Sequence, residues 1–236
     1  MGARLPKQVA SGVYQLGLVG VNVFFVELTD GGLVLIDTGT EPGGEHIGAG
    51  LRALGRAPKE LRGIVVTHLH GDHTGGLAAV KRHTGAEVWM HAADAAALRE
   101  GVRARPFQPG PGFVRTVVAH ALGLRPARNA DPIAVEHEVE DGETLPFDGL
   151  VAVHTPGHTA GHLALLLPRD GGVLFTGDAA THLGRLGVGP VYEDIAEGRR
   201  SLERLAALDF DTALFSHGRP IRTGAGERFR ARFARG

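Results

Sequence analysis

Three imidazoles and one carboxylate fall within the six residues His68-Leu69-His70-Gly71-Asp72-His73, directly after the β-branched run Ile64-Val65-Val66-Thr67. His68 and His70 are two apart, so an extended backbone points both to the same side. Gly71 is expected to let the chain turn and carry Asp72 and His73 to a neighbouring point. Imidazole with carboxylate suits zinc, and also iron or manganese. Ile64 to Gly76 therefore has the build of a metal-binding elbow between a strand and a helix. The competing reading is a polar strand-to-helix loop that merely contains histidines.

Further ligand types stand at the ends of other apolar runs. In Thr155-Pro156-Gly157-His158-Thr159-Ala160-Gly161-His162, Pro156 and Gly157 predict a tight turn that pushes His158 off the sheet. His154 and His162 flank that turn as structural or supporting residues. Asp178 follows the run Val173 to Thr176, and His217 follows Thr212 to Phe215. Asp37 ends the run Leu33 to Ile36 as a turn former or as an acceptor that orients a metal-bound imidazole. Strand ends of one sheet converge more readily than arbitrary loops. The candidate set is His68, His70, Asp72, His73, His158, Asp178 and His217. His83 reads as solvated, His91 as a turn residue, and His120 and His137 as structural.

The elements that must position these groups are short. Val13 to Leu18, Val21 to Leu28 and Leu33 to Ile36 read as strands, the last two joined by the turn Asp30-Gly31-Gly32. Ile47, Leu51 and Leu54 repeat at helical spacing before Gly55. A strand over Gly63 to Thr67 delivers the elbow, and Leu77 with Val80 starts a helix. A strand over Ala86 to Met90 and a poor helix over Ala92 to Arg99 follow. Strands are expected over Ile133 to Val139, Leu150 to His154, Leu163 to Leu167, Val173 to Thr176 and Thr212 to Phe215. Gly184 to Pro190 reads as a loop, and Ile195, Leu202, Leu205 and Ala206 as one helical face. The arginine-rich tail from Arg222 reads as a solvated helix or frayed end. Gly31-Gly32 before Leu33 to Asp37, and Gly171-Gly172 before Val173 to Asp178, hint at a duplicated unit. Residues 101–131 form a candidate lid: Pro106, Pro109 and Pro111 break regular structure, while Phe107, Phe113 and Val117 are too apolar for a free linker.

Composition fits one soluble domain over residues 1–236: 43% hydrophobic, 22% charged, net charge -1. That balance predicts neither a nucleic-acid nor a membrane partner. Without an apolar leader or spanning stretch, the expected location is the cytoplasm. The chain has no cysteine, so a metal must be held by His, Asp or Glu. The sequence does not fix the oligomeric state, and two-fold oligomers are common enough to make a homodimer plausible.

The motifs Thr67-His68-Leu69-His70-Gly71-Asp72-His73, Pro156-Gly157-His158, Thr176-Gly177-Asp178 and Ser216-His217-Gly218, in that order, resemble those of the metallo-β-lactamase superfamily. The resemblance runs from about Val13 to Pro220, with Asp37 at the place of the first acidic motif. It implies an α+β four-layer αβ/βα sandwich: two face-to-face mixed sheets, helices on the outer faces, and a site at one edge. His68, His70 and His158 would hold one divalent ion, Asp72, His73 and His217 a second, and Asp178 would bridge them. Zinc is the first choice, with iron and manganese accepting the same donors. The implied reaction is hydrolysis by a metal-bridging hydroxide, with Asp72 orienting it or relaying a proton.

The superfamily hosts several chemistries. Glyoxalase II enzymes carry a helical C-terminal extension, which demotes that assignment for a chain ending 19 residues after His217. Acyl-homoserine-lactone lactonases usually place a tyrosine where this chain has Thr181, leaving His182 and Tyr192 as candidate substrate-positioning donors. A small ester, thioester or lactone is the expected small-molecule substrate. The alternatives are a mononuclear iron enzyme resembling persulfide dioxygenases, a phosphodiesterase, and a non-enzymatic sensor that has kept its metals.

Overall fold

Runs such as Val23-Phe24-Phe25-Val26 and Leu33-Val34-Leu35-Ile36 are apolar at every position, the pattern of strands buried on both faces. The computed structural model, which describes residues 5–102, 105–110 and 132–234, shows what lies on each side. The first sheet contains β1 (Lys7–Ala10), β2 (Val13–Gly17), β3 (Asn22–Glu27), β4 (Leu33–Ile36), β5 (Leu61–Val65), β6 (Glu87–His91) and β8 (His137–Val139), in that spatial order. Its first four strands pair antiparallel, whereas β4, β5, β6 and β8 run parallel. The second sheet has the order β15 (Thr212–Leu214), β11 (Val173–Phe175), β10 (Leu163–Leu167) and β9 (Val151–His154).

Alternation along each strand sorts its side chains into separate cores. Phe24, Val26, Val34, Ile36 and Val65 meet Leu163, Leu165, Leu167, Val173, Phe175 and Leu214 between the sheets. The intervening residues Val23, Phe25, Leu33, Leu35 and Ile64 face outward onto α1 (Glu45–Ala53), α3 (Leu77–Thr84) and α4 (Ala92–Arg99) through Ile47, Leu51, Leu77, Val80 and Leu98. On the far side, Ala164, Leu174 and Ala213 pack against Leu202, Leu205 and Phe229 of α5 (Ile195–Ala206) and α6 (Ala225–Phe233). Helices, sheet, sheet, helices: the four expected layers are present.

Several local expectations need correction. The segment from Ile133 contributes only the three residues of β8 to the sheet. Gly184 to Pro190 is not an open loop: β12 (Ala180–His182) and β13 (Leu186–Val188) form an antiparallel hairpin around it. The tail folds as α6, and its apolar face is not solvated, since Phe229 is fully buried against Phe210 and Phe215. His91 accepts from the Ala93 N–H and so caps α4. His137 stacks on Trp89 and contacts Glu87, and His83 is exposed, each as expected. Residues 103–104 and 111–131, which hold most of the candidate lid and His120, lie outside the described residues. Of that segment, β7 (Gln108–Pro109) pairs antiparallel with β14 (Val191–Tyr192). Among the described residues, no helix is long and apolar enough to cross a membrane.

Candidate metal centre

Parallel pairing of β5 between β4 and β6 leaves their following loops at one edge of the first sheet, and the loops after β9, β11 and β15 meet them from the second. After β5 the chain bends at Thr67 and Leu69, is extended at His70, and then closes the helical turn α2 (Gly71–Thr74). The His73 and Thr74 N–H groups donate to His70 O at 3.0 Å each. Gly71 is not in the left-handed region, so the turn comes from this helical closure and not from glycine's conformational freedom. The Pro156-Gly157 turn does need glycine: Gly157 has φ 127°, and a Cβ there would meet the Gly198 backbone at 2.2 Å.

The strand ends bring all seven candidates together. His68 Nε2 lies 3.1 Å from His70 Nδ1, and His158 Nε2 lies 3.1 Å from the former and 3.0 Å from the latter. Three nitrogen donors around one zinc at about 2.0–2.1 Å stand about 3.3 Å apart, so this triangle is near the right size. Beside it, Asp72, His73 and His217 place one donor atom each within 4.8 Å of one another, as do His68, His73 and Asp178. Asp178 lies between the two groups. One of its oxygens is 3.4 Å from His158 Nε2 and 3.2 Å from His217 Nε2, and the other is 3.5 Å from His73 Nε2. Among the described residues, His73 Nε2 and Asp178 Oδ1 are buried without a hydrogen-bond partner. Orphaned polar atoms at that depth are costly unless another partner is supplied. A divalent cation fits both the donor chemistry and the vacant valences.

The second nitrogen of four imidazoles fixes the tautomer. His73 Nδ1 donates to Asp37 Oδ2 at 2.7 Å, His158 Nδ1 to Val191 O at 2.8 Å, and His217 Nδ1 to Gly20 O at 2.6 Å. His68 Nδ1 meets the Thr67 hydroxyl at 3.0 Å, which in turn donates to Asp37. Each arrangement aims Nε2 at the pocket. Asp37, held at φ 60°, also accepts the Thr67 N–H at 2.8 Å. It therefore supports both His73 and His68.

Charge is unevenly spread. Burial, reinforced by neighbouring imidazoles, pushes His68 well below its ordinary value; burial and His158 bring His70 down to about 3. Burial also lowers His158. For His73 burial acts the same way but is outweighed by Asp72, Asp37 and Asp178, which raise it to about 9. Asp178 and Asp72 likewise overcome burial and hold His217 well above its usual range. Burial would raise the Asp72 and Asp178 carboxyls, yet His73 and His217 keep both well below the carboxylate range.

Some supporting residues escaped the sequence reading. Asn22 donates from Nδ2 to Phe215 O and Gly218 O at 2.9 and 3.0 Å and so clamps the His217 loop. His162, which with His154 was expected as a structural or supporting residue, accepts the Asp178 N–H at 2.9 Å and contacts the Thr155 hydroxyl at 2.7 Å; it anchors the backbone of Asp178. His154 contacts Ala160 O. Of the two candidate substrate donors, His182 points Nδ1 at Arg219 O at 2.8 Å. Its neutral tautomer therefore has an acceptor at Nε2. Tyr192 is buried, with its hydroxyl accepting from the Gly189 N–H at 2.8 Å and its ring edge-on to His158, centroids 6.3 Å apart.

Residues 16–217 match the family model described as the metallo-beta-lactamase superfamily. The "Probable metallo-hydrolase YflN" of Bacillus subtilis is 28% identical over 95% of this chain and 89% of its own length. A hydroxyacylglutathione hydrolase of Pseudomonas aeruginosa is 35% identical over 66% of this chain, a match that spans 46% of that enzyme. Among solved structures, a metallo-beta-lactamase from Cronobacter sakazakii with a HARLDQ motif is 26% identical. It superimposes with a TM-score of 0.68 over 90% of this chain and 77% of its own.

Proposed function

The chain belongs to the metallo-beta-lactamase superfamily and is a metal-dependent hydrolase, and from that premise we propose that it uses two divalent ions to cleave a small ester, thioester or lactone. The observation that carries this reading is the convergence of seven ligand-type side chains around two buried, unpartnered donor atoms. In this reading His68, His70 and His158 would hold one ion, Asp72, His73 and His217 would hold the other, and Asp178 would serve both. Divalent ions held there supply a water whose pKa falls from about 15.7 toward 7 and a Lewis acid for the carbonyl oxygen it attacks.

The protein's own part is orientation and charge. Asp72, with 36% of its side chain exposed, is the most open of the acidic donors. Ionised throughout the neutral range, it accepts an O–H from the attacking water and aims it. Asp37, Thr67 and His162 hold the imidazoles and Asp178 in place, so little reorganisation accompanies the reaction. Tyr192, edge-on to His158, is the proposed substrate-positioning donor; His182 serves as one only when doubly protonated. An all His/Asp donor set and a reaction without redox favour zinc. The likeness to hydroxyacylglutathione hydrolases favours a thioester within the proposed class.

Elemental analysis paired with a panel of p-nitrophenyl esters, lactones, thioesters and phosphodiesters tests this directly. Two equivalents of metal and turnover of an ester, thioester or lactone above that of metal in buffer are the expected results. Turnover confined to phosphodiesters would replace the substrate class. Oxygen uptake with a single iron would replace the reaction, and no turnover on any member would leave a binding protein.

A further inference from the structure

Asp94 stands in the first turn of α4, fully buried, and the carboxylate makes four contacts. Oδ2 accepts from the Leu69 N–H at 3.1 Å and the Thr159 hydroxyl at 2.6 Å; Oδ1 accepts from the Gly161 N–H at 3.0 Å and Arg105 Nη1 at 2.7 Å. Leu69 lies between His68 and His70, and Thr159 follows His158. One side chain thus pins both loops that carry the imidazole triangle. The approach is close enough that a Cβ at Gly161 would come within 2.6–2.7 Å of the Asp94 backbone nitrogen and side chain. Arg105 also lies 3.4 Å from Glu193, whose carboxylate accepts the Ala160 N–H at 2.8 Å and whose own N–H donates to His158 O at 3.2 Å. Asp94, Arg105 and Glu193 therefore brace the His158 loop on both sides.

A carboxylate this deep persists only where donors replace its water. Helix stabilisation alone does not require that those donors come from the two ligand loops. We propose that Asp94 is a positioning residue: through Leu69 and Thr159 it sets the distance of His158 from His68 and His70, while Arg105 balances its charge. The proposal rests on reading the triangle as one of two metal half-sites.

Cobalt(II) titration of the metal-depleted protein, by chelator competition and visible absorption, tests it, with thermal unfolding measured on the same samples. His70→Ala and His217→Ala assign the two binding events to the two half-sites. If the wild-type protein takes up no cobalt, the metal reading itself fails, and this proposal with it. If it takes up two equivalents, Asp94→Asn is expected to weaken the triangle by about 10–100-fold, leave the other half-site within about threefold and alter the triangle's cobalt spectrum. Arg105→Gln should repeat part of that loss and Arg105→Lys should restore it. Unchanged affinity and spectrum at the triangle in Asp94→Asn would overturn the proposal. So would equal weakening at both half-sites in step with lost thermal stability. Should Asp94→Ala fail to fold, Asp94→Asn and Arg105→Gln still decide between these outcomes.

Discussion

The two halves of the metal pocket are built from similar residues but solve opposite electrostatic problems. The triangle of His68, His70 and His158 contains no carboxylate of its own, and burial keeps its imidazoles neutral. His68 and His158 are closed off from solvent, with 0% and 1% exposure. The other half, Asp72, His73 and His217, gathers acidic groups, and without metal its two imidazoles are held protonated. It is also the open half, with side-chain exposures of 36% for Asp72 and 19% for His217. One half is a set of lone pairs waiting for a cation; the other is an ion-pair cluster in which protons occupy the cation's place.

The largest effect should come from His70→Ala. It removes one corner of the triangle, and elemental analysis is expected to show the loss of an equivalent of metal together with hydrolysis falling to background. Normal turnover by such a metal-depleted variant would end the comparison, because the triangle would then have no chemical part. Asp37→Asn should act on the other half. It keeps the shape but replaces the carboxylate that holds His73 Nδ1, and a loss of about 10–100-fold in affinity there is the usual consequence of removing such a support. Chelator competition checks this, and an equal loss at the triangle would mean that the halves are not separable.

Acidity sharpens the contrast next. His73, raised to about 9, gives metal-free protein a stabilisation that is complete below its unfolded value of about 6.5 and lost as pH rises through about 9. His70, lowered to about 3, does the reverse: its stabilisation is present above about 6.5 and lost as pH falls toward 3. Thermal unfolding of metal-free protein should therefore peak near neutral pH. Filling the open half displaces protons from both His73 and His217, so its apparent affinity should rise about a hundredfold per pH unit while both imidazoles are protonated, the His73 share ending at about pH 9. The triangle's affinity should stay flat through the neutral range. Equal pH slopes for both binding events would contradict the assignment of charge.

How legible each half was in the sequence follows from how local its determinants are. His68, His70, Asp72 and His73 sit in one short stretch, so side-chain type and spacing announced them. The strands were legible because, buried on both faces, they write continuous apolar runs, whereas the four layers followed only from the motifs' resemblance to the superfamily. The supports are another matter. Asp94 lies in the alanine-rich α4, and its donors come from Leu69, Arg105, Thr159 and Gly161, positions that no local pattern connects. Asn22 acts on a loop almost two hundred residues away in the chain. The β12–β13 hairpin was hidden because Gly184 and Gly187 read as breakers, and the burial of α6, a tail expected as a solvated helix or frayed end, because its many arginines mask the single buried face at Phe229. Chemistry-bearing residues cluster in sequence here, whereas the residues that aim them are assembled only by folding.

The smallest expected effect concerns a side chain that links the two halves. The Thr67 hydroxyl donates to Asp37, which holds His73, and meets His68 Nδ1 of the triangle. Thr67→Val keeps the shape and the strand preference but deletes that link. A buried hydrogen bond contributes about 0.5–1.5 kcal/mol net, so the affinities of both halves should fall by about two- to tenfold. Thr67→Ser, which retains the hydroxyl, should stay close to the wild-type protein. Because Asp37 still reaches His73 without Thr67, the drop in the open half should be no larger than that in the triangle. A Thr67→Val variant that loses the open half alone would show that the hydroxyl serves Asp37 only and that His68 takes its orientation from packing.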